Sequence, residues 1–335
     1  MHDLKKLAAV RFLVRFPLFL LAAAMLVSLP GAAAAQQDAV ATDPATIDPD
    51  FPPAMQELSF ASHGDILSGL IYLADGAGPH PAVVLLHGFP GNEKNLDMAQ
   101  ALRRAGWNVL FFHYRGAWGS EGSFSLRNSM ADVLVAVDYL KANARGLRTD
   151  AARIALVGHS MGGFMALWGG SQVAGISCTV ALSAGDFGAA GLAMRQAAAD
   201  TSAQVPAKTP AKDAAKDAAK DAAKDALEEN LDQGQKMVML RDYDLPSLFA
   251  EMAASAEVLS VASFAAGHEK KKLLLVSGAR DTVVPPAVHR GLMALFSAVP
   301  GLKLEEKVLD TDHAYSWKRI ELTRIVSGWL EANCR

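Results

Sequence analysis

The sequence predicts an α/β fold built on a mostly parallel, doubly wound sheet. From residue 82 onward, short apolar runs alternate with longer segments of helical periodicity. Before residue 82, two segments predicted as β-strands are joined by a turn. The 335 residues are 51% apolar and 20% charged, as in a globular chain with a sizeable core. The formal net charge of −3 gives no basic excess of the kind found in nucleic-acid binders, so no nucleic-acid partner is expected.

Residues 1–35 have the layout of a secretory signal peptide. Four basic residues precede an apolar run from Phe16 to Leu29, and Ala33-Ala34-Ala35 offers a cleavage site before Gln36. The run has 14 residues, whereas a bilayer-spanning helix needs ~20. We expect cleavage, no stable membrane insertion afterwards, and a periplasmic or secreted protein; the alternative is an uncleaved anchor. Residues 36–56, rich in Pro, Asp and Ala, are predicted to be a linker.

The elements follow from the hydrophobic periodicity. The segments Leu58–Ser62 and Ile66–Leu73 flank a His-Gly-Asp turn and predict an antiparallel hairpin. Six further apolar runs predict parallel strands: Ala82–Leu86, Trp107–Phe112, Arg153–Val157, Cys178–Leu182, Lys272–Ser277 and Leu302–Leu309. Helical spacing predicts helices at 92–105, 126–144, 161–173, 285–297 and 315–332.

One connection is too long for this fold. About 87 residues separate Ala184 from Lys272, so a lid or cap is predicted at 187–269, inserted into a core of residues 57–186 and 270–335. Four copies of Ala-Lys-Asp-Ala at 211–226 have no apolar stripe beyond alanine and predict a solvated helix or a spacer. The insertion also has apolar residues of its own: Met237, Met239, Leu240, Leu248, Phe249 and Met252.

The sharpest chemical signal is the motif Gly158-His159-Ser160-Met161-Gly162-Gly163. It lies between a predicted strand and a predicted helix, where a G-x-S-x-G turn presents a serine hydroxyl above the sheet. Gly158 and Gly162 provide the room that so tight a turn needs. We therefore interpret Ser160 as a nucleophile rather than as part of a chance turn.

A serine nucleophile needs a base and a group that orients the base. In this arrangement the chain order is serine, acid, histidine, with both partners on loops at the carboxyl ends of later strands. Asp281 follows the strand at 272–277, and His313 follows the last strand. Asp310 and Asp312 are rival acids, which turn or helix-cap chemistry would also explain.

An oxyanion hole is the third requirement. The N–H of Met161, directly after the nucleophile, is one expected donor. The N–H of Phe89, in the loop after an earlier strand, is the other; Pro90 has no N–H. His87 and His159 are interpreted as structural residues beside the site.

These residues resemble the α/β-hydrolase superfamily, and within it the prolyl-oligopeptidase-like and serine-aminopeptidase-like branch of esterases and peptidases. The motifs are His87-Gly88-Phe89-Pro90-Gly91, Tyr114-Arg115-Gly116, Gly119-Ser120-Glu121-Gly122, Gly158-His159-Ser160-Met161-Gly162-Gly163, Gly278-Ala279-Arg280-Asp281 and Asp312-His313. The resemblance implies an α/β-hydrolase fold with Ser160 as nucleophile, Asp281 as acid and His313 as base. It also implies that Tyr114-Arg115-Gly116 shapes the rim of the active site, although a purely structural Arg115 is the alternative.

The sequence departs from that branch in two respects. The residues before the first strand leave no room for the β-propeller of prolyl oligopeptidases, and the Ala-Lys-Asp-Ala repeat is not a feature of the family. Both departures weaken any inference of peptidase specificity.

The sequence thus predicts an exported serine hydrolase that needs no cofactor or metal and acts on a small-molecule ester or a peptide. The apolar insertion favours an esterase. An aminopeptidase-like or dipeptidyl-peptidase-like enzyme is the alternative, since Asp242, Asp244 and Glu251 offer charge for a substrate ammonium. A non-catalytic binding protein of the same fold is the alternative of another class. Cys178 and Cys334 are expected to be free thiols.

Overall fold

The computed structural model describes residues 38–203 and 237–334. Within them, eight strands form one sheet. They are β1 (Ala54–Ser62), β2 (Asp65–Leu73), β3 (His80–Leu86), β4 (Asn108–Phe112), β5 (Thr149–His159), β6 (Cys178–Leu182), β7 (Lys272–Gly278) and β8 (Lys303–Leu309). Their order is β1-β2-β4-β3-β5-β6-β7-β8. The pairs β1–β2 and β2–β4 are antiparallel and the others are parallel, which confirms the predicted fold class with its N-terminal hairpin.

Helices cover both faces of the sheet. They are α1 (Leu96–Arg104), α2 (Leu126–Ala142), α3 (Met161–Gln172), α4 (Phe187–Ala203), α5 (Leu245–Ala254), α6 (Ala256–Leu259), α7 (Pro286–Ser297) and α8 (Arg319–Cys334). Buried residues of α1 and α8 form one apolar layer, and those of α2, α3 and α7 form the other. None of the helices in these two ranges has both the length and the apolar character needed to cross a bilayer.

Two helices begin later than the periodicity predicts. Asn95 has a left-handed φ of 55°, so α1 begins at Leu96 rather than at residue 92. Tyr315 has a φ of 57°, and α8 begins at Arg319 rather than at residue 315. A left-handed backbone conformation cannot continue a right-handed helix. Neither residue is a glycine, so the sequence carries no signal of this conformation.

The N-terminal segment predicted as a linker is described from Asp38 onward. The guanidinium of Arg104 donates a hydrogen bond of 2.6 Å to the Ala39 carbonyl, and Arg324 forms an ion pair of 2.6 Å with Asp38. These contacts tie the segment to α1 and α8. Its last residues belong to β1, which begins at Ala54 rather than at residue 58.

The insertion after β6 contributes α4, α5 and α6 to the described structure. A Cβ on Gly188 would overlap the Ala256 carbonyl, and one on Gly191 would overlap the Met252 carbonyl, so these glycines allow α4 to lie close against α5 and α6. The predicted signal peptide (1–35) and the repeat (211–226) lie outside the described residues.

The prediction of two free thiols is wrong. Cys178 and Cys334 form a disulfide, with their Cα atoms 6.1 Å apart. The bridge forms because α8 runs back across the sheet and ends beside the first residue of β6, which brings the Cα atoms within the ~7 Å that a disulfide can span. The bonded residues are 156 positions apart, so it closes a long loop.

We expect this disulfide to stabilise the fold without affecting the turn that carries Ser160. Reduction, or Cys334→Ser, should lower the free energy of unfolding by about 2–5 kcal/mol. The turn that carries Ser160 should keep its geometry under conditions where the protein stays folded, because Cys178 lies at the opposite end of β6 from Leu182, whose carbonyl accepts the Ser160 N–H. Denaturant unfolding with and without reductant measures the effect, and reductant should change nothing further in Cys334→Ser. Two titratable thiols in the unfolded, unreduced protein would contradict the bridge.

Candidate active site

Ser160 lies at a strained turn between β5 and α3. Its φ of 58° and ψ of −119° are unusual for a residue with a side chain. The turn is possible because Gly158 and Gly162 lack side chains: a Cβ on Gly158 would overlap the Gly162 carbonyl, and one on Gly162 would overlap the Leu86 carbonyl. Ser160 thus stands at the carboxyl end of the sheet and at the positive N-terminal end of α3.

Asp281 and His313 lie side by side at the same edge of the sheet. Asp281 follows β7 and His313 follows β8, and His313 Nδ1 is 2.7 Å from Asp281 Oδ2. The other carboxylate oxygen accepts backbone N–H groups from Val283 and Val284 at 2.9 and 2.8 Å. The Asp281 carboxylate is fully buried and the His313 ring is 18% exposed. A fixed carboxylate therefore orients a ring that remains accessible from the site.

Hydrogen bonds keep Asp281 ionised. Burial raises the pKa of Asp281, but the hydrogen bond and charge of His313 and the N–H of Val284 lower it by more, and the net pKa lies below its ordinary value. An ionised Asp281 accepts the Nδ1 proton of His313, which leaves Nε2 as the basic atom.

The rival acids are engaged elsewhere. Asp310 forms a two-point ion pair with Arg280, at 2.6 and 2.8 Å, on the exposed surface. Asp312 accepts the backbone N–H of Ser316 at 2.8 Å and its hydroxyl at 2.6 Å. Neither makes a hydrogen bond to the His313 ring in the described part of the chain, which leaves Asp281 as its carboxylate partner.

The His159 side chain links the turn that carries Ser160 to the loop that carries His313. His159 Nε2 donates to the His313 carbonyl at 2.8 Å, which ties the turn carrying Ser160 to the loop carrying His313. Within residues 38–203 and 237–334 the Ser160 hydroxyl makes no hydrogen bond, to His313 or to any other group. Catalytic hydrogen bonds often tighten only when substrate is bound.

The two expected oxyanion donors are close to the serine and unused. Met161 is the first residue of α3, and Phe89 lies in the loop 87–91, which we call the oxyanion loop. A Cβ on Gly88 would lie 3.1 Å from the Ser160 Cβ, so this loop lies directly against the turn that carries Ser160. Neither the Phe89 N–H nor the Met161 N–H has an acceptor among the described residues.

Buried histidines beside the site are neutral at pH 7. Burial lowers the pKa of His87 to about 4, and burial together with the charge of His313 lowers that of His159 to about 3. His87 Nδ1 donates to the Gly88 carbonyl at 2.7 Å. Both rings hydrogen-bond to loop backbone, in agreement with their structural interpretation.

The sequence interpretation overlooked His113 and Trp118. His113 follows β4 and stacks on Trp118, with ring centroids 5.9 Å apart. Burial lowers the pKa of His113 to about 3, and its Nδ1 is 3.4 Å from His87 Nε2. In the sequence, His113 directly follows a predicted strand, as His87 does, and this position was the signal that could have identified it.

Arg115 lies in an environment that fits a purely structural role, the alternative to a role at the rim of the active site. Its Nε donates to Asp132 at 2.7 Å, and its backbone N–H donates to the same carboxylate at 2.8 Å. Asp132 is fully buried and also accepts the Ser62 hydroxyl at 2.6 Å. The pair anchors the loop after β4 to α2 and leaves no free charge for a substrate.

Metal ligands are not clustered in the described ranges: no three His, Cys, Asp or Glu side chains are placed to hold an ion there.

A model of the alpha/beta hydrolase family matches residues 83–319. The chain belongs to the alpha/beta hydrolase family. The match includes Ser160, Asp281 and His313 and spans the sheet from β3 to β8. It confirms the superfamily predicted from the sequence motifs.

Similar proteins include esterases and a peptidase. This alpha/beta hydrolase is 31% identical to the esterase EstD of Thermotoga maritima over 131 residues, which are 35% of this chain and 30% of EstD. The chain spans about a third of the length of the curated relatives that it matches.

Among solved structures, an esterase of Pyrococcus furiosus superposes with a TM-score of 0.57 at 20% identity, covering 88% of this chain and 98% of that one. The acylaminoacyl peptidase of Pyrococcus horikoshii gives 0.56 at 16% identity, covering 83% of this chain and 41% of that one. These likenesses show the fold.

Proposed function

We propose that this alpha/beta hydrolase is an exported serine hydrolase that cleaves carboxylic esters through an acyl-enzyme. The observation that carries the proposal is the Asp281–His313 hydrogen bond of 2.7 Å at the sheet edge that also presents Ser160. Nucleophile, base and orienting acid are what acyl transfer requires. The family match and the esterases among the similar proteins support the same chemistry.

In the proposed mechanism, Ser160 Oγ attacks the substrate carbonyl carbon while His313 Nε2 takes the hydroxyl proton. Asp281 stabilises the imidazolium that forms. The N–H groups of Phe89 and Met161 bind the oxyanion of the tetrahedral intermediate. His313 then gives its proton to the departing alcohol, and a water molecule, activated by the same ring, releases the carboxylic acid and restores Ser160.

The acidic residues of the cap support an ester rather than an aminopeptidase substrate. Glu251, on α5, accepts the Tyr243 hydroxyl at 2.6 Å and the N–H groups of Leu126 and Arg127 at 2.9 and 3.0 Å. Asp244 accepts the Ser247 N–H at 2.8 Å and so caps α5. Glu251 thus ties the cap to the start of α2, whereas Asp244 is exposed and engaged at the start of its own helix. The exposed Asp242 accepts the Ser123 hydroxyl at 3.5 Å.

The cap also contains several apolar side chains that pack on the core. Leu240, Leu248 and Met252 are buried against the core, and Met237, Met239 and Phe249 are partly buried beside them. Binding sites of this kind combine apolar walls with a few polar anchors. The cap therefore favours short or medium acyl chains, which methionine side chains accommodate readily.

A substrate panel tests this preference. The purified protein should hydrolyse p-nitrophenyl esters of short and medium chain length with a higher kcat/KM than any aminoacyl p-nitroanilide, with Ser160→Ala as the blank. A higher kcat/KM for the anilides than for every ester would refute the preference, because anilides are the less reactive substrates.

Export is supported by the layout of residues 1–35 and by the disulfide, since disulfides persist in oxidising compartments. We expect protein isolated from the native host to begin near Gln36. Mass spectrometry of the intact protein measures this. A membrane-bound form beginning at Met1 would contradict cleavage.

A further inference from the structure

Two side chains fix the oxyanion loop on either side of Phe89. His87 Nδ1 donates to the Gly88 carbonyl at 2.7 Å, and Trp118 Nε1 donates to the Pro90 carbonyl at 2.9 Å. The Gly88 carbonyl and the Phe89 N–H belong to one planar peptide unit. The imidazole therefore sets the direction of the expected oxyanion donor, and the indole holds the next carbonyl along the loop.

Trp118 is bonded at the same time to the cap. Its backbone N–H donates to the Met239 carbonyl at 2.7 Å, and the preceding Ala117 forms an antiparallel bridge with Leu240. Leu240 is 6% exposed and packs in the core, which anchors the cap segment 237–241 at this point. One residue thus hydrogen-bonds to the cap through its backbone and to the oxyanion loop through its side chain.

The indole ring is also held on its faces. The Lys94 ammonium lies 3.9 Å from the centre of the ring, and the His113 ring stacks on it at an interplanar angle of 24°. His113 in turn contacts His87, so the two groups that hold the oxyanion loop also support one another. These contacts leave the indole little freedom to move without moving the loop.

We propose that Trp118 is a positioning residue that couples the cap segment 237–241 to the oxyanion loop. The inference rests on the proposed function, because the loop matters only if it stabilises an oxyanion. Its consequence is that the fit of the cap affects transition-state binding and hence kcat, rather than substrate affinity alone.

Trp118→Phe tests the side-chain half of this link. Phenylalanine keeps an aromatic ring for His113 but removes the Nε1–H that holds the Pro90 carbonyl. We expect kcat for a p-nitrophenyl ester to fall about 10- to 100-fold with KM changed by less than about threefold. The inhibition constant of phenylboronic acid, whose serine adduct mimics the tetrahedral intermediate, should rise in proportion to the loss of kcat/KM.

Trp329→Phe is the matched control. The Trp329 indole donates to Glu305 at 2.8 Å, as the Trp118 indole donates to Pro90, but Trp329 is buried in α8, away from the oxyanion loop, whereas Trp118 is partly buried. Trp329→Phe should leave kcat and phenylboronate inhibition unchanged. The inference fails if Trp118→Phe retains kcat within about twofold of wild type, or if Trp118→Phe and Trp329→Phe lower it equally.

Leu240→Ala tests the cap half, since it removes no atom from Trp118 or from the oxyanion loop. It should lower kcat and phenylboronate binding in parallel, and its effect should be less than additive with Trp118→Phe. Fully additive losses would show that the cap does not act through Trp118. Leu240→Ala also provides the test if Trp118→Phe does not fold. A wild-type protein without ester hydrolysis would instead refute the proposed function.

Discussion

Ser160→Ala and His313→Ala are each expected to lower kcat for ester hydrolysis by about 10⁶-fold. Without the Ser160 hydroxyl no acyl-enzyme forms, and without the His313 ring nothing takes the hydroxyl proton. Because the two groups act in one step, the double variant should be no worse than about the poorer single variant. Initial rates with a p-nitrophenyl ester, together with thermal unfolding of each variant, measure the effect.

Ser171→Ala is a suitable control for Ser160→Ala. Ser171 is on the same helix that follows the nucleophile turn, and its hydroxyl donates to the Trp168 carbonyl near the other end. Its loss should leave kcat unchanged. Near-normal rates in a folded Ser160→Ala or His313→Ala protein would remove that residue from the proposed mechanism.

Asp281→Asn is expected to lower kcat by about 10⁴-fold. An amide oxygen can still accept the N–H groups of Val283 and Val284, so the loop should keep its shape. The amide nitrogen, however, would donate to His313 Nδ1 and place the ring proton on Nε2, where the base must be free. The loss should therefore appear in kcat while the Tm changes little.

Asp310→Asn and Asp312→Asn, compared with Asp281→Asn, test which of the three carboxylates orients His313. Asp310 faces Arg280 on the surface and Asp312 caps the turn at Ser316, so each variant should retain most of its activity. If either lost about 10⁴-fold while Asp281→Asn remained active, the assignment of the acid would be wrong.

The parallel strands and the strand-to-helix turn at Ser160 could be predicted because their signals are local. A buried strand requires a continuous apolar run, and a tight strand-to-helix turn requires glycines such as Gly158 and Gly162 at fixed offsets. The order of serine, acid and histidine along the chain then pointed to Asp281 and His313, whose side chains form a hydrogen bond in the structure.

The features that could not be predicted depend on contacts distant in sequence. The disulfide joins residues 156 positions apart, and its formation depends on where α8 ends. The backbone hydrogen bond from Trp118 to Met239 requires the cap to fold back on the loop after β4. Asn95 and Tyr315 have left-handed backbone conformations although neither is a glycine, so the sequence did not signal them. The predicted starts of α1 and α8 were therefore misplaced.

Labelling with a fluorescent fluorophosphonate, followed by peptide mass spectrometry, tests the central claim most directly. The reagent reacts covalently with an activated serine, and tandem spectra locate the adduct within the tryptic peptide 154–195. The account predicts one adduct, on Ser160, with ester hydrolysis lost in proportion to labelling and no adduct in Ser160→Ala. A protein that hydrolyses esters with Ser160 unlabelled, or that loses activity through an adduct on another serine, would contradict it.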